Sequence, residues 1–490
     1  MNILNKQKQK HNYQKIAYKF KSIVGEDNVL WQPIDRALYG CDAETLDSAI
    51  PDLVVLPGNT QQVQDVVRIA NEYGIPFTAR GAGTGLSGGA TTVCGGMSLV
   101  LTRMTKIIDI DPESRIAVVE TGVTNSSVSQ AAAKYNLCFA PDPSSQLAST
   151  IGGNIAENAG GPHTLKYGTT VDHVLSMKVV LPDGNITQLG SNHLSHFDFD
   201  WVSLFTGSEG TLGIATEAIL KLIPLPELTE TALVYFSTLE SGGEAVTKII
   251  ASGVIPCAME MIDQLTLNAV EDAFSLGLNR EAAALLIIEI DGNKLSVQQE
   301  KNQIEEILNS SDTLSYSWAK SAYDRAQMWK ARKAAFGALG RIAPHAYVLD
   351  GVVPVSQLAN AIKGIKTIGD KYSVIVANIF HAGDGNLHPA LLYNQNNEEQ
   401  AQRVLKASYE ILKLCVDLGG VLSGEHGIGI EKTLAMPFLF SDTDLMVMES
   451  IKKAFDPQLI CNPGKILPSP GICGESGMRP LLRHKLSMGC

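Results

Sequence analysis

The spacing of hydrophobic positions changes repeatedly along the first part of the chain. Apolar residues are continuous at 53–56, recur at helical spacing at 63, 66, 67 and 70, and are continuous again at 75–79. This order predicts strand, helix and strand. After a glycine-rich loop at 80–89, β-branched residues concentrate at 98–102, 106–110 and 115–121, which predicts further strands. The pattern indicates an α+β fold and not a doubly wound sheet.

Farther along, the pattern predicts a helix from an N-cap at Thr124 to Tyr135 and a strand at 174–181. Residues 141–168 between them are mostly small or polar, as in a linker or in a backbone wrapped around a ligand. Two prolines, at 224 and 226, indicate a boundary. We expect a solvated N-terminal helical arm (1–47), domains at 48–225 and 226–430, a helical C-terminal segment (431–468) and a tail (469–490) of unassigned role.

Composition narrows the class of protein. The chain has 490 residues, of which 45% are hydrophobic and 18% charged, as in a globular protein of two or three domains. Its net charge of −12, without a basic cluster in the body of the chain, argues against nucleic-acid binding. The longest apolar run, 282–288, is far shorter than the roughly 20 residues of a transmembrane helix.

The N-terminus and the cysteines bear on location. The six lysines within residues 1–21 are followed by no apolar core of a signal peptide. The eight cysteines form no CxxC pair, which argues against an iron–sulfur cluster, a zinc ribbon or a disulfide framework. These features favour a cytoplasmic location, at most peripheral to the inner face of a membrane.

The loop Arg80-Gly-Ala-Gly-Thr-Gly-Leu-Ser-Gly-Gly89 follows a predicted strand. Its glycines match the G-x-G-x-x-G dinucleotide pattern, but the residues after Gly89 do not favour the helix that this motif requires. Such a turn can still hold phosphate oxygens through backbone N–H groups, and a tight structural turn is the alternative. A second small-residue stretch, 141–161, adds Asn154 and Asn158 as hydrogen-bond partners. Two such loops favour a large, extended cofactor.

A third motif, His381-Ala-Gly-Asp-Gly-Asn-Leu-His388, lies between two apolar runs and predicts strand, turn and strand. A short turn can bring two imidazoles to one metal, although two histidines can also be ordinary hydrogen-bonded residues. Glu425 and His426, in the glycine-rich loop 423–429, offer a carboxylate and a third imidazole. The segment 329–336 predicts a helix on which Arg332 and Lys333 either form a solvated face or serve a ligand.

Four segments carry a resemblance to a known family: 79–89, 141–168, 205–214 (FTGSEGTLGI) and Asn462-Pro-Gly-Lys465. They resemble the vanillyl-alcohol-oxidase-type FAD-binding family, over about residues 35–470. Within it the chain is most similar to flavin subunits of bacterial glycolate oxidase and to D-lactate and D-2-hydroxyglutarate dehydrogenases. The resemblance implies a two-subdomain FAD-binding domain (48–225), an antiparallel-sheet substrate (cap) domain (226–430), a C-terminal segment returning to the FAD domain, and an active site between the domains.

The resemblance also implies which residues contact FAD, with the first loop on its pyrophosphate. They are Arg80, Gly81, Ala82, Gly83, Thr84, Gly85, Ser87 and Gly88 in the first loop; Pro141, Asp142, Ser145, Thr150, Gly152, Gly153, Asn154, Asn158, Gly161 and Gly168 in the second stretch; and Glu209, Gly213, Ile214 and Asn462. By the same resemblance His381, His388 and Glu425 bind a divalent metal, usually zinc. His426 is then the base, and Arg332 clamps the substrate carboxylate.

The chain departs from the hydroxyglutarate enzymes in two places. Phe336 and Val348 replace a threonine and a lysine that would serve a second carboxylate in those enzymes. A buried second carboxylate would therefore have no partner, which favours a short monocarboxylate such as glycolate or D-lactate.

The expected activity is FAD-dependent oxidation of that 2-hydroxy acid to the 2-oxo acid. Electrons would pass to a quinone, a cytochrome or an iron–sulfur partner subunit, and the protein would be a homo-oligomer or a hetero-oligomer. One alternative is a flavin-bearing subunit that works only in a multi-subunit glycolate oxidase complex, and another is a D-2-hydroxyglutarate-type dehydrogenase. A zinc hydrolase would leave both glycine loops without a role.

Overall fold

The computed structural model of the chain describes residues 13–44, 46–191 and 199–468. The tail at 469–490 and the first twelve residues, with three of the six N-terminal lysines, lie outside the described residues. The expectations for them stay predictions.

The α-helices of the described residues are α1 (Tyr13–Val24), α2 (Pro33–Ala37), α3 (Thr60–Tyr73), α4 (Asn125–Ala132), α5 (Ile151–Glu157), α6 (Thr164–Tyr167), α7 (Trp201–Phe205), α8 (Leu239–Ala251), α9 (Gln264–Phe274), α10 (Lys294–Asn309), α11 (Ala322–Lys333), α12 (Ala335–Leu339), α13 (Leu358–Tyr372), α14 (Glu398–Asp417) and α15 (Asp442–Phe455). Short 3₁₀ helices cover Glu26–Asn28, Ala133–Tyr135, Thr170–His173, Val355–Gln357 and Thr433–Phe438.

The strands are β1 (Val29–Leu30), β2 (Leu53–Val55), β3 (Phe77–Arg80), β4 (Met97–Val100), β5 (Ile107–Asp111), β6 (Ile116–Glu120), β7 (Leu137–Cys138), β8 (Val174–Val180), β9 (Ile186–Gly190), β10 (Ile214–Lys221), β11 (Ile223–Pro224), β12 (Leu228–Phe236), β13 (Ala258–Asp263), β14 (Ala284–Gly292), β15 (Thr313–Trp318), β16 (His345–Val348), β17 (Gly351–Val352), β18 (Ile375–His381) and β19 (Asn386–Tyr393).

The first of two compact units combines described residues of 13–159, 169–224 and 425–468. One of its sheets has the order β1-β2-β4-β3, in which β2 and β3 both run parallel to β4, so the predicted strand, helix and strand form a βαβ unit. A second sheet, β5-β6-β10-β8-β9, is antiparallel. The α+β prediction is confirmed.

The N-terminal helix α1 is not the solvated arm that we expected. Its residues Ile16, Ala17, Phe20 and Val24 are buried in the core that also contains β2 and β4. The lysines alternate with an apolar stripe at helical spacing, and this stripe packs on the first unit.

Helix α5 lies inside the small-residue stretch, where we expected no regular structure. The glycines at 152 and 153 disfavour a helix, but the Oγ1 of Thr150 accepts a hydrogen bond from the N–H of Gly153 and caps it. Asn158 ends the helix in the left-handed conformation, and Ile151 and Ile155 are buried in the core of the antiparallel sheet.

The second unit combines residues 160–168 and 225–424, and therefore begins its long segment beside the predicted boundary. Its antiparallel sheet has the order β15-β12-β14-β13-β18-β19-β16, with β17 also paired to β19. Residues of α9, α11 and α12 pack with Ile262, Ile287 and Ile379 in one apolar core on this sheet. The prediction of an antiparallel sheet for this part of the chain is confirmed.

Candidate active site

The glycine loop after β3 is held close to the second small-residue stretch. A Cβ atom on Gly81 would lie 2.2 Å from Oγ1 of Thr150, the residue that caps α5. Gly83 has a φ of +73°, and a Cβ there would lie 2.1 Å from the guanidinium of Arg80. Glycine is therefore required at 81 for close approach and at 83 for backbone conformation as well.

Buried polar atoms of the first unit lack protein partners around these loops. Among the described residues, no protein hydrogen bond reaches Nη1 of Arg80, Oγ of Ser87, Oγ of Ser149, Nδ2 of Asn154, Oγ of Ser208 or Oδ1 of Asn462. Unpaired buried donors and acceptors are costly, so their concentration at one place fits a large polar ligand. Both donors and acceptors are present, as the phosphates, ribityl chain and ring edges of FAD require.

Glu209 and Asn462 connect the remaining predicted FAD segments to the same place. Glu209 accepts hydrogen bonds from the N–H groups of Ile428 (2.7 Å) and Gly429 (2.8 Å), and burial raises its pKa to about 7. Nδ2 of Asn462 donates to the carbonyls of Gly89 (3.1 Å) and Glu209 (2.7 Å). The structure thus brings the predicted residues of 80–89, 141–158, 209–214 and Asn462 into the first unit, whereas Gly161 and Gly168 belong to the second.

In the second unit, polar side chains share one end of the sheet face that carries the apolar core. Glu260 of β13 lies opposite His381 of β18, and His388 of β19 lies opposite Ile379. Glu289 of β14 lies opposite Thr231 of β12. Directly opposed residues of an antiparallel pair point to the same face, so the register itself collects these side chains.

Glu260 is the centre of this group. One carboxylate oxygen lies 2.6 Å from Nδ1 of His381, and the other accepts a 2.6 Å hydrogen bond from Nε of Arg332 on α11. Burial acts to raise the pKa of Glu260, but His381 and Arg332 outweigh it and the pKa is lowered. The carboxylate is therefore ionised, and Arg332, whose side chain is 11% exposed, is its ion-pair partner rather than part of a solvated face.

The two motif histidines are held in matching orientations. Nδ1 of His381 faces Glu260, and Nδ1 of His388 lies 3.0 Å from the carbonyl oxygen of Leu349. An acceptor at Nδ1 fixes the proton there and leaves the lone pair on Nε2, the form in which imidazole ligates a metal. The ring centroids are 5.0 Å apart. The donor set therefore fits a divalent cation such as zinc.

Asp350 fixes the chain just before the predicted Glu425-His426 pair. It accepts hydrogen bonds from Oγ of Ser423 and from the N–H of Gly424 at 3.1 Å, and it lies 3.8 Å from Nδ1 of His388. Glu425 follows Gly424 directly and begins the return to the first unit, in which Nε2 of His426 lies 3.9 Å from Oε1 of Glu425.

The sequence interpretation missed Glu260 and Glu289. Both are charged positions within strands whose other residues, apart from Asp263 and Asp291 near the strand ends, are apolar or glycine (Ala258–Asp263 and Ala284–Gly292), and this contrast was a usable signal. Glu289 accepts a 2.7 Å hydrogen bond from Nε1 of Trp329, three residues before Arg332, so the two carboxylates together position α11.

Comparison with known proteins decides the family. Models of the FAD binding domain and of the C-terminal domain of FAD linked oxidases match residues 51–190 and 225–466. The glycolate oxidase subunit GlcD of Escherichia coli K12 is 43% identical over 439 residues, which is 90% of this chain and 88% of that protein. The chain belongs to the FAD-linked oxidase family.

Other relatives agree with this assignment. GlcD of Bacillus subtilis is 38% identical over 91% of this chain and 95% of its own, and a D-lactate dehydrogenase of Anaerostipes hadrus is 32% identical over 91% and 96%. A solved structure of p-cresol methylhydroxylase has a TM-score of 0.78 at 19% identity, covering 93% of this chain and 96% of that one, which shows a common fold. This FAD-linked oxidase is an oxidoreductase with FAD as cofactor, as predicted.

Among the helices that the structure describes, none has both the length and the apolar character needed to cross a bilayer.

Proposed function

We propose that this FAD-linked oxidase converts a small 2-hydroxy monocarboxylic acid, glycolate or D-lactate, to the 2-oxo acid. The observation that carries the proposal is the group around Glu260, in which one buried carboxylate positions a guanidinium and an imidazole together. A 2-hydroxy acid presents a carboxylate, which matches the guanidinium, and a hydroxyl two bonds away, which matches a metal that the imidazole would help to hold. Relatives named glycolate oxidase subunit and D-lactate dehydrogenase support the same substrate class.

Arg332 binds the substrate carboxylate. Its Nε is engaged by Glu260, so its Nη groups serve the substrate in a planar contact that a lysine could not make. Glu260 keeps the guanidinium from rotating, and the ion pair compensates the charge of Arg332 before substrate arrives.

His381, His388 and Glu425 would hold a divalent metal. A set of two imidazoles and one carboxylate suits zinc. His426 would accept the substrate hydroxyl proton on a ring nitrogen. When bound, FAD accepts a hydride from the substrate carbon, and a metal lowers the pKa of the substrate hydroxyl. The residues expected to hold FAD are those of the 80–89, 141–168 and 209–214 segments and Asn462.

The preferred length of the substrate depends on whether a second substrate carboxylate would have polar partners. Val348 packs against the apolar core of the second unit, and Phe336 is 51% exposed. Phe336 therefore supplies no closed apolar wall, and the preference for a monocarboxylate depends on the missing threonine and lysine rather than on steric exclusion.

The test is anaerobic bleaching of the flavin absorption of the purified protein by glycolate, D-lactate, L-lactate and D-2-hydroxyglutarate, with and without a chelator. We expect bleaching by glycolate or D-lactate that the chelator abolishes. A protein that contains flavin and is reduced by none of these acids would contradict the substrate and metal assignments. Reduction that the chelator leaves intact would contradict the metal alone.

A second candidate is a flavin subunit that is active only within a complex. The Escherichia coli and Bacillus subtilis relatives are named as subunits, and this chain has no CxxC pair for an electron-carrying cluster. Reduction of an artificial acceptor by the purified chain would support a self-sufficient enzyme. Activity only after co-expression with partner proteins would support the subunit role.

A further inference from the structure

We propose that His163, Cys257 and Glu289 form a second metal site, with ligands that suit zinc, within the second unit. This site shares no ligand with the His381 and His388 pair. It goes beyond the proposed oxidation of a 2-hydroxy acid and does not depend on it.

The geometry of the three side chains fits a zinc ion. One ligand atom from each lies within 4.8 Å of the others, and Nε2 of His163 is 3.3 Å from Oε1 of Glu289. Nitrogen and oxygen ligands of tetrahedral zinc, each at about 2.1 Å from the metal, are separated by about 3.4 Å. The histidine and glutamate are therefore already at ligand spacing, and only small movements would be needed at the cysteine.

The glutamate is oriented by neighbours that occupy its other oxygen. Oε2 of Glu289 accepts hydrogen bonds from Oγ1 of Thr231 (2.5 Å) and Nε1 of Trp329 (2.7 Å). Oε1 is thereby turned toward His163, whose ring centroid lies 5.9 Å from that of Trp329. Partners of this kind orient metal ligands in known sites and strengthen binding.

The other two ligands are held against β14, the strand that carries Glu289. Sγ of Cys257 lies 3.3 Å from the carbonyl oxygen of Glu289. The segment that contains His163 is fixed to Asp291, two residues farther along β14, by Nζ of Lys166 (2.6 Å) and the hydroxyl of Tyr167 (2.7 Å). All three ligands are thus positioned with respect to one strand.

Access and charge also suit a cation. The His163 side chain is 26% exposed, whereas that of Glu289 is 7% exposed, so an ion can reach the site past the imidazole. Burial raises the pKa of the Cys257 thiol to about 12, so binding must displace its proton. The S–H bond breaks, the proton passes to solvent and a Zn–S bond forms; the thiolate and carboxylate then neutralise the dication.

A hydrogen-bonded triad without metal is the alternative, and zinc X-ray absorption separates the two. Full-length protein is stripped with a chelator, reloaded with zinc and freed of excess metal. A sulfur neighbour at about 2.3 Å from zinc reports thiolate ligation, which the His381, His388 and Glu425 set cannot give.

We expect the sulfur signal in the unaltered protein and in His381→Ala, and its loss in Cys257→Ser. Cys415→Ser is the matched control, since Cys415 is as buried as Cys257 and belongs to no such group among the described residues. Absence of sulfur from the unaltered protein, or its persistence in Cys257→Ser, overturns the proposal. If Cys257→Ser fails to fold, His163→Asn replaces it: we expect the thiolate site to bind zinc at least about tenfold more weakly, and unchanged affinity overturns the proposal.

Discussion

Nδ1 of His381 lies 2.6 Å from Oε1 of Glu260, and neither oxygen of that carboxylate reaches solvent. The contact joins residues that are 121 positions apart in the chain. Since the second oxygen holds Arg332, a single buried charge positions one group that would bind metal and one that would bind substrate. Removing that charge should therefore affect both functions.

Glu260→Gln tests this dual role. A glutamine offers one acceptor oxygen where His381 and Arg332 need two, and its amide would oppose one of their N–H groups. We expect metal affinity and kcat/KM to fall by about tenfold to a hundredfold, with FAD content unchanged. The control is Glu230→Gln. It removes a partly buried ion pair between Glu230, on a strand of the same sheet, and Lys301 of α10. A purely structural role for Glu260 would lower thermal stability and leave metal affinity unaltered.

Arg332→Lys tests the carboxylate contact. A lysine keeps the charge but cannot hold Glu260 and a substrate carboxylate at once with planar geometry. We expect KM for the 2-hydroxy acid to rise by about tenfold to a hundredfold, with a smaller change in kcat. Lys333→Ala, at the exposed neighbouring position, should leave KM unchanged. Equal effects on KM of the substitutions at 332 and 333 would refute the assignment.

Local patterns were sufficient for much of the fold. The β-branched runs became β4, β5 and β6, and the histidine motif became β18, a turn and β19. Helix α5 was missed because its glycines disfavour a helix, and the cap at Thr150 and the burial of Ile151 and Ile155 outweigh that preference. The packing of α1 was missed because its lysines dominated the composition of the arm.

The local sequence pattern could not predict the whole cluster of polar side chains at one end of the second unit's sheet. His381 and His388 were found because they lie on one hairpin, whose register follows from its turn. Glu260 and Glu289 are brought to them by non-local antiparallel pairing, and register between distant strands depends on packing of the whole sheet. The resemblance supplied Arg332 but not the carboxylate that holds it.

Gly81→Ala tests the close approach of the two small-residue stretches. The added methyl would overlap Oγ1 of Thr150, and moving Thr150 would disturb the cap of α5. Overpacking of this kind costs about 1–3 kcal/mol, so we expect FAD affinity to weaken by about tenfold or more. Gly337→Ala, where nothing lies within 4 Å of the new methyl, should keep its flavin. Retention of full FAD affinity by Gly81→Ala, measured by titration of flavin-free protein, would contradict this account.

Asp42, beside the glycine loop, predicts a pH dependence of stability. Burial raises its pKa from 3.8 to about 6, against the opposing effects of the N–H groups of Ala90 and Glu44 and the charge of Arg80. The folded chain then holds this proton more tightly than the unfolded chain. The associated stability is present below pH 3.8 and is lost as pH rises through about 6, a change of about 3 kcal/mol.

Asp42→Asn removes this titration. The amide oxygen that this variant carries at position 42 can still accept a hydrogen bond from the N–H of Glu44. Any loss of stability from the broken hydrogen bond with Ala90 is the same at every pH, so the test depends only on how the difference in unfolding free energy changes with pH. In urea unfolding of flavin-free protein, we expect the free energy of unfolding of Asp42→Asn, relative to the unaltered chain, to rise between pH 4 and about pH 7. Asp111→Asn is the control: hydrogen bonds from Ser114 lower the pKa of Asp111 below 3.8, so its titration lies below this pH range and the corresponding difference should stay nearly constant between pH 4 and about pH 7. If the unfolding free energy of Asp42→Asn relative to the unaltered chain does not change with pH, the Asp42 carboxylate is ionised in the folded chain throughout this range. The charges of Arg80 and Lys465 would then outweigh its burial.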